Sequence, residues 1–162
     1  MYKLNGVMYS AEEIKSKVKE LAKQIEKDYA GEELLVVGIL KGASVFCADL
    51  IREIDLDVRM DFMVVSSYGS STESSGTVKI IKDLDVDIEN KNVLIVEDII
   101  DSGLTLSSLV AALKTRRPKS LKLCTLLDKP ERRVKDVKVD YVGFNIPDEF
   151  VVGYGLDYAQ LY

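Results

Sequence analysis

Two hydrophobic rhythms alternate along this chain. Leu34 to Leu40 and Val93 to Val96 are continuous apolar runs rich in β-branched residues, as expected of strands buried on both faces of a parallel sheet. Val58 to Ser66, Val78 to Lys82, Ser120 to Leu127 and Tyr141 to Asn145 read as further strands. Between them the period lengthens. From Ser10 to about Tyr29, the residues Ile14, Val18, Leu21 and Ile25 form one helical face, and Lys and Glu fill the solvated remainder. Ser10 and Glu13 form a capping-box pattern, and Gly31 marks the region where the helix ends. A second helix is expected from about Val45 to Ile54, and a third after Thr105, where Leu106, Leu109, Val110 and Leu113 recur at three- and four-residue spacing.

Strands alternating with helices predict an α/β fold: a doubly wound, mostly parallel sheet flanked by helices. One stretch breaks the pattern. Ser67-Tyr68-Gly69-Ser70-Ser71-Thr72-Glu73-Ser74-Ser75-Gly76 is small, polar and glycine-bearing, a loop that serves either as a plain connection or as a lid that closes over a site.

Composition narrows the function classes. The 162 residues fit one domain over 1–162, and 47% hydrophobic with 30% charged residues is ordinary for a globular protein. The net charge of −5 argues against a general polyanion-binding surface, so no nucleic acid is expected as a partner. Histidine is absent, which removes His-based triads and His-ligated zinc. Cys47 and Cys124 form no CxxC pair and read as buried free thiols. With no apolar run of 18 residues and no signal-peptide pattern, no membrane association is expected and the protein is expected to be cytoplasmic.

The chemistry concentrates in Val93 to Thr105. A buried strand runs into Glu97 and Asp98, then Ile99-Ile100, then Asp101-Ser102-Gly103-Leu104-Thr105 and a helix. Ligands of open α/β sheets bind beyond the carboxyl ends of the strands. A loop opening a helix offers free N–H groups to a phosphate. Carboxylates there suit sugar hydroxyls, a divalent cation, or both, so the stretch reads as a site for a phosphorylated sugar with Mg²⁺ nearby. A second small-residue turn, Lys41-Gly42-Ala43-Ser44, follows the strand ending at Leu40.

All thirteen positions of the first stretch resemble the phosphoribosyl-pyrophosphate (PRPP) signature of the type I phosphoribosyltransferases. The resemblance implies that fold, with a small hood lobe drawn from the extreme N-terminus and residues after about 128. It implies that Glu97 and Asp98 hold the ribose hydroxyls and Mg²⁺, and that Asp101, Ser102, Gly103, Leu104 and Thr105 wrap the 5′-phosphate. Asp101 also becomes the general acid/base near purine N7. Leu40-Lys41-Gly42 looks like the pyrophosphate loop, where the family often has a non-proline cis peptide. Ser67 and Tyr68 match the Ser-Tyr pair of the mobile catalytic loop.

A second cluster matches the branch that uses 6-oxopurines. Lys129 corresponds to a lysine that donates to the purine's exocyclic oxygen, Phe150 to an aromatic that stacks on the base, and Val151 to a residue whose backbone reads the base edge. Asp157 matches a residue that helps hold a second Mg²⁺ and borders the purine, and Arg133 matches an arginine with a structural or orienting role. The implied reaction transfers the phosphoribosyl group of PRPP to N9 of hypoxanthine or guanine, giving IMP or GMP and pyrophosphate in purine salvage. Xanthine- or guanine-preferring enzymes share this machinery. Nucleotide-sensing, RNA-binding regulators share the fold but would need a basic face. The family usually continues past the Asp157-Tyr158 pair with a pyrophosphate-contacting arginine and a final strand. This sequence stops at Tyr162, so it is either cut there or a shortened form. The resemblance also implies a homodimer or homotetramer, with Leu50 to Leu56 as part of an interface.

Overall fold

The computed structural model describes residues 6–67 and 78–156. Helix α1 spans Ala11–Asp28, and its start is the expected capping box: Glu13 N–H donates to Ser10 Oγ while Ser10 N–H donates to Glu13 Oε1, both at 3.1 Å. Strand β1 (Leu34–Ile39) leads to α2 (Ser44–Glu53), then β2 (Val58–Ser67) and β3 (Val78–Lys82). Strand β4 (Asn92–Ile100), helix α3 (Leu104–Lys114), β5 (Ser120–Asp128), a 3-10 turn at Pro130–Arg132 and β6 (Tyr141–Asn145) complete the order.

The six strands form one sheet in the order β3-β2-β1-β4-β5-β6, parallel except for β3, which pairs antiparallel with β2 at the edge. Alternate side chains of the central strands face opposite layers. Val36, Leu94, Val96, Cys124 and Leu126 pack under α1 and α2, with Leu21, Ile25, Phe46 and Leu50 supplied by the helices. Leu35, Val37, Ile39, Val93 and Ile95 face the other way, against Leu106, Leu109 and Leu113 of α3. Helices on both faces explain why these strands read as unbroken apolar runs. Cys47 and Cys124 are free and buried in the first layer, as expected. Among the described residues no helix is long and apolar enough to cross a membrane.

One boundary differs from the sequence reading by more than two residues. Strand β4 extends to Ile100 rather than ending at Val96, so Glu97 and Asp98 lie within it. The reason is lateral. Against β5 the pairing continues through Ile99↔Leu127 and Ile100↔Asp128, whereas against β1 it ends at Gly38↔Val96. The last four residues of β4 thus overrun β1 and keep one flank open. Leu50, expected at an interface, is fully buried core, while Ile51 and Leu56 are only partly buried.

Candidate active site

The strand order reverses between β1 and β4: from β1 the chain winds outward to β2 and β3, then returns to the other side through β4. Such a switch point leaves a crevice beyond the strand ends. Here it is a cleft of about 290 Å³, walled by Ile39 at the end of β1 and Leu40 and Gly42 after it, by Glu97 to Ile100 of β4, by Asp101, Ser102 and Gly103 of the following loop, and by Val65, Thr105 and Leu106. Residues more than fifty positions apart in sequence therefore share one wall.

The β1 side is a turn of small residues. The Leu40–Lys41 peptide is cis. Gly42 lies so close to Asp98 that a Cβ placed on it would sit 2.2 Å from Asp98 Oδ2. Only glycine permits this approach. Lys41 itself is exposed at the rim and does not line the cleft.

The β4 side carries the charge. Ile99 N–H donates to Asp98 Oδ1 at 2.7 Å, and Asp98 N–H to Glu97 Oε1 at 3.3 Å. Burial, then the neighbouring Asp98 charge, raises Glu97 well above the ordinary carboxylate range, and burial also raises Asp98. Among the described residues neither carboxylate forms an ion pair with a lysine or arginine. The two carboxyl groups therefore face the cleft without a cationic side chain paired to either among the described residues.

The loop between β4 and α3 is shaped by its glycine. Gly103 caps α3 in the left-handed region, at φ 78°. Ser102 N–H donates to Asp101 Oδ1 at 2.7 Å, and Leu104 N–H to Ser102 Oγ at 3.3 Å. The segment after β5 braces the loop from outside. The N–H groups of Val134 and Lys135 donate to the Ser102 carbonyl at 2.8 and 3.1 Å, and Arg133 Nε donates to the Asp101 carbonyl at 3.2 Å. The Arg133 guanidinium also donates to Asp128. Arg133 thus ties the end of β5 to the loop that opens α3.

A family model described as "Phosphoribosyl transferase domain" matches residues 8–159. The chain belongs to the phosphoribosyl transferase family. It is 58% identical over 159 residues (98% of this chain, 88% of the relative) to the hypoxanthine-guanine phosphoribosyltransferase of Bacillus subtilis. It is 57% identical over 158 residues (96% and 89%) to the hypoxanthine phosphoribosyltransferase of Salmonella typhimurium. A crystal structure of a hypoxanthine-guanine phosphoribosyltransferase from Bacillus anthracis superimposes with a TM-score of 0.95 at 57% identity, covering 99% of this chain and 94% of that one.

Of the phosphoribosyltransferase residues expected from sequence, Leu40, Gly42, Glu97, Asp98, Asp101, Ser102, Gly103 and Thr105 line this cleft. Leu104 opens α3 beside it, half-buried. Lys129 is buried, 8% exposed, and its N–H donates to the Ile100 carbonyl at 2.8 Å, which fixes it directly beside the β4 terminus. Phe150 is 71% exposed, and Val151 is partly buried against the α1–α2 core layer. Neither lines the cleft. Ser67 is the last residue of β2, whereas Tyr68 and Asp157 lie outside the described residues.

Sequence reasoning missed Asp128 as the anchor of Arg133. A charged residue directly after the apolar pair Leu126-Leu127 was the available signal. It also missed the Gly42–Asp98 contact, which is tertiary and leaves no local trace.

Proposed function

We propose that this phosphoribosyltransferase salvages purines, transferring the phosphoribosyl group of PRPP to N9 of hypoxanthine or guanine with release of pyrophosphate. The observation that carries the reading is the switch-point cleft, in which the small-residue turn after β1 meets the acidic pair and the Asp101–Thr105 loop. Relatives 57–58% identical over nearly the whole chain carry hypoxanthine or hypoxanthine-guanine phosphoribosyltransferase names.

In the displacement, the bond from the anomeric carbon to the diphosphate oxygen breaks and the bond to purine N9 forms. Positive charge gathers on the ribose ring and negative charge on the departing diphosphate. The Glu97 and Asp98 carboxylates hold the ribose hydroxyls, and their field favours the cationic sugar. Ser102, Gly103, Leu104 and Thr105 receive the 5′-phosphate at the start of α3, where backbone N–H groups and the helix dipole favour an anion. The Leu40-Lys41-Gly42 turn faces the diphosphate, with Lys41 as its point charge. Lys129 donates to the purine's 6-oxygen, and Phe150 and Val151 cover the base and read its edge. Asp101 exchanges the proton of purine N7. Ser67 and Tyr68 belong to the lid.

The donor set suits Mg²⁺. Glu97 and Asp98 are hard oxygen donors, half-buried and raised in pKa by burial, so a divalent cation would relieve their repulsion. Among the described residues no cluster of three or more acidic, cysteine or histidine side chains could hold a metal alone. Mg²⁺ is commonly bound by one or two carboxylates together with substrate oxygens. Glu97, Asp98 and Asp157 would hold it, and when bound it stabilises charge on the diphosphate. A homodimer or homotetramer is supported by apolar Met60 and Ile81, 52% and 61% exposed on the β2–β3 edge. A cytoplasmic setting is supported by the two free buried thiols.

The test is an ultraviolet assay with PRPP and Mg²⁺, run separately with hypoxanthine, guanine, xanthine and adenine. Turnover of hypoxanthine and guanine is expected, and Asp101→Asn should lower kcat by roughly 10²–10⁴-fold. Turnover of xanthine alone, or full activity in the variant, would overturn the corresponding part of the reading.

A further inference from the structure

The segment Gly153-Tyr154-Gly155-Leu156 is a tight turn closed by the Leu156 N–H, which donates to the Gly153 carbonyl at 2.8 Å. Its two central residues both have positive φ, 51° for Tyr154 and 86° for Gly155. That is the type I′ pattern, in which asparagine or glycine is favoured at the first central position. A bulky aromatic residue there is an outlier. Such outliers persist where surrounding contacts over-determine them.

Those contacts are present. The Tyr154 ring packs on the α1–α2 core layer, and its hydroxyl donates to Asp49 Oδ2 on α2 at 2.5 Å. The acceptor is a carboxylate, which makes this one of the stronger classes of hydrogen bond. Burial and the Asp49 charge both hold the phenol in its protonated, donating form. Beside it, Gly155 lies against the pyrophosphate turn: a Cβ there would be 3.0 Å from the Gly42 carbonyl oxygen and 3.1 Å from Val45 Cγ2. Gly42 in turn abuts Asp98.

We propose that Tyr154 and Asp49 form a latch that docks the base-binding segment onto the pyrophosphate turn, so that Tyr154 is a positioning residue for the purine. The inference rests on the proposed purine-transfer reading. Tyr154 lies three residues past Val151 and four past Phe150. Without the latch that segment has fewer anchors. The pyrophosphate turn remains held between β1 and α2. Loosening therefore weakens base binding more than PRPP binding.

The experiment compares wild type, Tyr154→Phe, Asp49→Ala and the double variant in three readouts: KM for hypoxanthine, KM for PRPP, and amide hydrogen exchange over residues 150–156. Tyr154→Phe keeps the ring and removes only the donor. The expected result is a rise in KM for hypoxanthine on the order of tenfold, with KM for PRPP within about twofold of wild type. Exchange over 150–156 should be faster, with the melting temperature little changed. The double variant should be no worse than the stronger single, because both remove one bond. Parallel loss of both affinities with a lowered melting temperature would reduce the bond to a structural one and overturn the proposal. Unchanged KM and exchange in both singles would overturn it too. If wild type itself converts no purine, the functional reading fails, while the exchange comparison still decides whether the latch exists.

Discussion

Gly42→Ala separates the working geometry of the site from its stability. Gly42 is outside the left-handed region, so a side chain there meets no backbone strain and the cost is purely one of space. The new Cβ would lie 2.2 Å from Asp98 Oδ2 and 2.9 Å from its Cγ. Reaching even a tight 3.0 Å contact requires the turn and the carboxylate to separate by about 0.8 Å. Asp98 is a half-buried side chain and can give way, so the fold should lose less than about 1 kcal/mol. Catalysis has no such slack, since misplacement by about 1 Å costs about 10²-fold, or about 2.7 kcal/mol of transition-state stabilisation. Steady-state assays with PRPP and hypoxanthine, beside urea denaturation, should show kcat/KM down by about two orders of magnitude with a stability loss under about 1 kcal/mol. Activity within about threefold of wild type in a folded variant would show that the Gly42–Asp98 approach is not part of the working site.

Gly103→Ala should behave oppositely. Its Cβ would meet the Lys135 backbone carbonyl at 2.6 Å, at a φ of 78°, and neither term relaxes easily. Left-handed strain of about 1–2 kcal/mol and overpacking of about 1–3 kcal/mol predict a loss of roughly 2–5 kcal/mol in urea denaturation, and a loss under about 1 kcal/mol would contradict the packing described. Glu97→Gln tests the electrostatics. The folded state raises the Glu97 pKa above its ordinary 4.5, so the native protein binds that proton more tightly than the unfolded chain, and stability falls as pH rises from about 4.5 through the raised value. The variant should flatten that slope and gain on wild type toward alkaline pH, and Mg²⁺ should raise the wild-type melting temperature more than the variant's. Parallel pH–stability curves would refute the assignment.

The elements were largely legible because each buried strand carries an apolar run and each helix a clear period. Ser10 and Glu13 even announced the start of α1 through a cap that forms as written. Legibility stopped where neighbours decide. The two carboxylates that end the apolar run at Val96 concealed the rest of β4, whose pairing with β5 continues to Ile100. Lys129 looked like surface charge by composition and is buried because its backbone is bonded to Ile100. The left-handed Tyr154 had no local signal at all, since its partner Asp49 is 105 residues away in the chain. In the candidate site, the motif residues around Asp101 could be read in order, but the contacts of Gly42, Asp128 and Arg133 are made by folding.

The reversal of strand order also sets a timetable for synthesis. Strand β1 finds β2 within a few dozen residues, but its other neighbour, β4, begins only at Asn92. Until then a nascent chain presents the apolar Leu35–Gly38 edge without its second partner, a template for pairing with other chains. Helix α1, already released, can cover only one side of the strand and not its hydrogen-bonding edge. The pocket is therefore completed late: the turn after β1 gains its opposite wall only when the strand that carries Glu97 and Asp98 slides in beside it.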